Sequence, residues 1–378
     1  MTARNEKIRF CQNNFAALTG LSVDYSSQLT AFPASNAYSV KFRSKVWKPS
    51  GCFVITASSN DKLYINDGSN KEITLTAGEY TTPALLASHI QTQLNASSAN
   101  WTVSYSTTAY KFTISNTSSY TLRFSQTSAA VWDDIGYTGS SDVTATSWLA
   151  DEQRNHTSEW IRFDLGYNAN IKALFIIGAL DDVFTISESA TITLKANNID
   201  FWDSPPYSQS LTRLDGGIFQ FLDDTSDTDT GYRYWKIEII DRTNPLGPEG
   251  LVFGHIYLGD YITLTSRNIQ RGFTKTLYDP SIITESEEGA LYFDEKSKYE
   301  KFDNMQMIHL DKDDRDTLNK MFRDLGKHTP FYLSIDPTGA FSNYLDELTK
   351  YVHFNSSPSF KHVNAGRFIM NMSFREVL

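Results

Sequence analysis

A β-sandwich pattern runs through this sequence and is cut in two. Glu159-Trp160-Ile161-Arg162-Phe163-Asp164-Leu165-Gly166 alternates as a strand. Its Ile161, Phe163 and Leu165 share one face, and Trp160, Arg162 and Asp164 the other, because successive side chains of a strand point to opposite sides. Further strands read over 172–177, 190–196, 232–240 and 251–258. The segment expected just before Glu159 runs from Ala34-Ser35-Asn36-Ala37 to Lys45-Val46-Trp47, about a hundred residues upstream. What lies between reads as a complete small domain. A guest domain leaves and re-enters its host at one loop, so residues near 50 and near 156 are expected side by side. The sandwich is assigned residues 1–50 and 156–262, and the guest 51–155.

The guest carries its own core pattern. Lys62-Leu63-Tyr64-Ile65-Asn66-Asp67-Gly68 is a strand entering a turn, with Glu72-Ile73-Thr74-Leu75-Thr76 as partner. Thr82 then offers a helix N-cap, and Pro83 suits the first helical position, where its missing N–H costs nothing. Leu86, Ile90 and Leu94 form one apolar stripe. Strands over 101–105, 110–114 and 120–124 follow. One helix on a small antiparallel sheet makes an α+β module.

Residues 263–378 read as a third, α+β unit. Phe331, Leu333 and Ile335 alternate, as do Phe368, Met370, Met372 and Phe374. Ahead of both, Asp311 caps a helix whose buried face is Leu318, Met321, Phe322 and Leu325, stopped by Gly326. The last strand, Arg367 to Val377, is a candidate sheet edge, which would offer free backbone groups to another subunit. This unit is expected to carry most of the contact between subunits. The fold class is therefore mainly β with α+β parts: an interrupted β-sandwich, its inserted module and a C-terminal α+β domain.

Composition excludes several classes of function. Aromatic residues make up 13% of the 378, and Ser and Thr are abundant, as suits a β-rich chain. The net charge is −10 and no basic tract occurs, which argues against binding nucleic acid through its phosphates. The two cysteines, Cys11 and Cys52, sit in no motif, so neither a disulfide framework nor a zinc site is read from them. No signal peptide and no membrane span is read near Met1 or beyond, and the expected place of synthesis is a reducing cytoplasm.

No catalytic constellation emerges, and no enzyme activity or cofactor is expected. The seven histidines form no metal pair, and no nucleophile elbow, P-loop or dinucleotide fingerprint is present. In Asp223-Asp224-Thr225-Ser226-Asp227-Thr228-Asp229, the candidate cation ligands are Asp224, Asp227 and Asp229. The stretch departs from the EF-hand pattern and a solvated loop is the default reading, so no metal is assigned. Asp311 to Asp316 is explained by a helix start, where acids meet free N–H groups. Trp202 and Tyr207 are the candidate carbohydrate-stacking aromatics, and packing on the sandwich edge is the favoured reading of them.

Several stretches together resemble structural proteins of tailed-bacteriophage tails. In the guest these are Leu63-Tyr64-Ile65-Asn66-Asp67, Leu75-Thr76-Ala77-Gly78-Glu79-Tyr80-Thr81, Ile90-Gln91-Thr92-Gln93-Leu94-Asn95, Trp101-Thr102-Val103-Ser104-Tyr105 and Lys111-Phe112-Thr113-Ile114-Ser115. Phe32 to Ala37, Trp160 to Gly166 and Tyr232 to Ile239 are similar to galactose-binding-like (discoidin-type) jelly rolls. The resemblance covers about residues 30–260, with no sugar-binding or calcium signature at matching positions. It implies a non-enzymatic, distal-tail-like component of a tail tip or baseplate. Such a protein would be assembled in the host cytoplasm, carried in the virion, and built as a homo-oligomeric ring of six or three copies. The ring would join the tail to the host-recognition parts, with other tail proteins as partners. A second reading is a receptor- or carbohydrate-binding tail protein that engages a host surface glycan. A third is a glycan-acting enzyme with a binding module, for which no acid pair stands in a glycosidase setting.

Overall fold

The computed structural model describes residues 7–17, 21–29, 31–38, 45–49, 51–154, 158–178, 185–222, 231–241, 251–264, 269–270, 272–287, 289–337, 345–364 and 366–377. The protein is mainly β, with two long helices and five sheets among these residues.

The sandwich packs two layers. One is an antiparallel sheet in the spatial order Tyr207–Leu211, Thr191–Asn197, Tyr232–Ile240, Glu159–Ala169, Ser22–Tyr25. The other is one end of a larger sheet: Arg213–Leu214, Gly217–Phe221, Ala173–Ile177 and His255–Thr263. Ile161, Phe163 and Leu165 meet Leu174, Ile176, Ile256 and Leu258 around the fully buried Trp235. The alternation read from Glu159 onward is the one observed.

The upstream half of the sandwich differs from expectation. The strand beside Glu159–Ala169 is Ser22–Tyr25, not the stretch from Ala34 to Trp47. Ser35–Tyr38 is a single helical turn entered through Pro33, and Ala34 and Ala37 are buried in the sandwich core. Trp47 makes an isolated bridge to Phe253, and their rings stack at 4.6 Å.

The second layer does not stop at the sandwich. Past His255–Thr263 the same eleven-stranded sheet continues through Arg9–Asn14, Phe331–Ser334, Thr349–Phe354, Arg367–Glu376, Tyr299–Leu310 and Thr274–Tyr278. Arg9–Asn14 pairs with His255–Thr263 on one side and with Phe331–Ser334 on the other. Residues 1–50 thus do not belong to the sandwich alone, since Ile8 and Phe10 lie in the core of the C-terminal unit. That core is closed by the helix Lys312–Leu325, N-capped by Asp311, whose carboxylate accepts from the Asp314 N–H at 2.8 Å.

The terminal strand is also not an edge. Arg367–Glu376 is flanked by Tyr299–Leu310 on one side and by Thr349–Phe354 and Ser359–Asn364 on the other. Met370, Met372 and Phe374 cover the helix, and this burial on a central strand accounts for their alternation. The sheet ends at Thr274–Tyr278 instead.

The opposite face of the shared sheet is aromatic. Strand alternation turns Phe175, Tyr257, Tyr332 and Tyr351 away from the two flanking cores into a layer of their own. The Phe175 ring lies 4.9 Å from Tyr332 and 5.4 Å from Tyr257, and Tyr332 lies 4.9 Å from Tyr351.

The inserted module has a separate core. Helix Pro83–Ser97 starts at Thr82, whose hydroxyl accepts from the Leu85 N–H, and buries Leu86, Ile90 and Leu94. They pack on strands Lys62–Asn66, Asn70–Thr74, Trp101–Ser106, Lys111–Leu122 and Val143–Leu149. A short ribbon, Phe53–Ile55 with Gly78–Tyr80, leads the chain into the module.

Candidate assembly surface

The edge strand Thr274–Tyr278 is the root of a long hairpin. It pairs with the start of Tyr299–Leu310, from Thr274 opposite Asp303 to Tyr278 opposite Tyr299. Beyond, the pairing is interrupted. Pro280 has no N–H to give a ladder, and the Asp279 carboxylate instead accepts from the Ser281 N–H at 2.9 Å. Pairing resumes in Ile282–Glu285 with Leu291–Asp294, which belong to no larger sheet. The turn closes through the Ser286 N–H on the Ala290 carbonyl at 2.8 Å, with Gly289 at φ 82°.

This arm is bare on both faces. Ile283 stands opposite Phe293 and Thr284 opposite Tyr292, so each face of the ribbon carries an aromatic ring. Leu277, Ile282, Ile283, Leu291, Tyr292 and Phe293 are 48–69% exposed. A lone two-stranded ribbon is marginal in water, and apolar groups gathered on one projection mark a contact site.

The root is held by charge. Lys275 pairs with Glu300 at 2.9 Å, and Lys350 reaches the same carboxylate at 3.5 Å. Lys301 lies 3.7 Å over the Tyr278 ring and Arg375 3.8 Å over Tyr299. The sequence signal for the arm is the pair of unbroken runs Ile282-Ile283 and Leu291-Tyr292-Phe293 around an acidic turn. An amphipathic strand would alternate, and these do not.

A second group of residues gathers at the neck of the inserted module. The two chain crossings do come together there. Ser26 and Ser27 donate their hydroxyls to the Glu159 carboxylate, Ser27 at 2.8 Å. The Gly51 N–H donates to the Ser27 hydroxyl at 3.2 Å, and the Cys52 N–H also supports Glu159. Glu159 is wholly buried, and burial pushes its carboxyl up to about 7, against the pull of these donors. Glu159 shares the inward parity of Ile161, so the alternation itself signals a buried acid, which the reading of the strand passed over.

The two carbohydrate-stacking candidates sit in different settings. Tyr207 is a core residue, 5% exposed, packed on Trp235 and Tyr232. Trp202 is half-buried, its indole N–H bonded to Asp200 at 2.7 Å, and Lys236 lies 5.9 Å over its ring. The more exposed neighbours are Ile199 and Phe201. Asp224, Asp227 and Asp229 lie outside the described residues. Among the described residues no three acidic, His or Cys side chains group as metal ligands. His255 is buried in the aromatic layer, its Nδ1 sharing a 2.9 Å hydrogen bond with the Tyr332 hydroxyl. No described helix is long and apolar enough to cross a membrane.

Comparison with models of known families and with curated proteins finds no match. Among solved structures, part of the chain aligns with chitosan-binding module 1 of a chitosanase/glucanase from Paenibacillus sp. IK-5. The alignment covers 27% of this chain and 69% of that module, at 15% identity and a TM-score of 0.19. At that score the likeness says nothing of fold or ligand.

Proposed function

We propose that this protein is a non-enzymatic structural component of a tailed-bacteriophage tail tip or baseplate. It assembles with copies of itself around the tail axis and links the tail to host-recognition parts. The observation that carries the reading is the arm over 274–299. Leu277, Ile282, Ile283, Leu291, Tyr292 and Phe293 each leave on the order of 100 Å² bare. Together they supply much of the roughly 800 Å² that one partner gives to a standard interface. An arm on one side of a subunit, seated on another part of the next, is a head-to-tail contact, and repeated it closes a ring. Six copies are favoured, with three as the alternative, by resemblance to tail-tip rings. The sandwich and the inserted module are then displayed outward.

The test is the mass of the full chain in solution, by light scattering and mass photometry over a concentration series. The expected result is a closed oligomer of one size. Ile283→Asp with Phe293→Asp should convert it to monomer without loss of secondary structure, since neither side chain touches a core. A wild-type chain that stays monomeric at high concentration would overturn the reading, as would a double variant that assembles unchanged.

A further inference from the structure

We infer that Glu159 is a proton-operated latch on the neck of the inserted module, closed when the carboxyl is neutral and loosened when it is charged. The geometry is specific. Glu159 opens the first strand after the insertion, and its carboxyl holds Ser26 and Ser27 before the insertion and the Cys52 backbone at its entry. The Ser26 hydroxyl also accepts from the Trp160 N–H at 3.0 Å, and the Ser26 N–H bonds the Trp160 carbonyl at 2.9 Å. One buried acid therefore ties together all three passages of the chain.

Its surroundings set the sign. Its described hydrogen-bond partners, two hydroxyls and a backbone N–H, are donors that favour the charged carboxylate, and complete burial outweighs them. From the module's ribbon, Glu79 adds a second negative charge, and burial raises that carboxyl as well. From the adjacent sandwich strands, Lys236 and Arg162 act on Glu79, with Asp24 opposing them. The Cys52 thiol is pushed up, chiefly by burial, and stays neutral. A carboxyl raised from 4.5 in the open chain to about 7 here favours the closed neck in its protonated form. That contribution is complete below about 4.5 and is lost as the pH rises through about 7. One coupled proton changes the opening equilibrium by about tenfold per pH unit within that window.

Hydrogen exchange of the full chain, corrected for intrinsic rates, reads this out. From pH 5 to pH 7, the opening equilibrium at the Ser26, Cys52 and Trp160 amides should rise by tens of fold. Peptides of Lys312–Leu325 should not change. Glu159→Gln should flatten the rise at the neck. Should that variant fail to fold, Glu79→Gln on the module's ribbon serves instead. It removes the neighbouring charge, so the rise should level off at lower pH and be smaller. A wild type with no rise at the neck, a rise shared equally by Lys312–Leu325, an undiminished rise in Glu159→Gln or an unmoved one in Glu79→Gln would each overturn the latch.

Discussion

Gly259 shows how much one position can hold in this molecule. It faces Asn14 across the pairing of Arg9–Asn14 with His255–Thr263, at a register shift. A Cβ there would stand 1.9 Å from the Asn13 carbonyl oxygen and 2.8 Å from the Tyr257 hydroxyl. Neither neighbour yields cheaply, as one is backbone and the other sits in the aromatic layer. Gly259→Ala is expected to cost roughly 1–3 kcal/mol or more, as overpacking does. Chemical denaturation should show the loss as a lower midpoint with an unchanged slope, and an unaltered midpoint would contradict the close approach. A glycine inside a strand hints at such an approach, but the sequence does not name the strand that approaches. Tyr207 and Trp202 teach the same lesson. Their spacing marks both as aromatics near strand ends, and only the placement of Trp235 and Tyr232 decides that Tyr207 is core. The acidic candidates Asp224, Asp227 and Asp229 remain a sequence expectation.

At the scale of elements, local signals were legible and pairing was not. The guest helix follows from Thr82, Pro83 and the stripe Leu86, Ile90, Leu94, because capping and periodicity are encoded within one turn or two. The helix Lys312–Leu325 follows from Asp311 and Gly326 for the same reason. Ser22–Tyr25 has only four residues, too few to alternate clearly, and its role beside Glu159–Ala169 was given to a later segment. The terminal strand has a buried face in either position, so alternation does not distinguish a central strand from an edge one. The inserted module is an element that can be removed. Replacing 53–154 with a short Gly/Ser bridge should leave a soluble, β-rich body, since Gly51 and Cys52 already lie beside Ser27 and Glu159. Far-ultraviolet circular dichroism checks the fold. A wholly unfolded product would mean that the host depends on its guest.

At the scale of the whole molecule, the eleven-stranded sheet joins the sandwich to the C-terminal unit. Arg9–Asn14 is paired on both sides, and Phe10 enters one core while Cys11 enters the aromatic layer. These parts should therefore unfold together. Calorimetry of the full chain is expected to give two transitions, one for the inserted module and one for the fused body, and deleting 53–154 should remove the first alone. A separate third transition would show that the shared sheet does not couple its halves. For the same reason, residues 263–378 expressed alone would lack the partner strand of Phe331–Ser334 and should fold poorly, so assembly belongs to measurements on the full chain.

The placement of Arg9–Asn14 also imposes an order in time. This strand precedes every other described strand in the chain, yet its two neighbours arrive only with His255–Thr263 and Phe331–Ser334. The inserted module needs nothing outside 53–154 for its own core and is free to fold while synthesis continues. The body must wait, and contacts so distant along the chain close slowly. The arm, over 274–299, emerges before the strand that completes its foundation. A growing chain therefore has the hairpin before the sheet beneath it is finished. On the proposed assembly, copies would become competent to join only after Phe331–Ser334 and the strands beyond it are made.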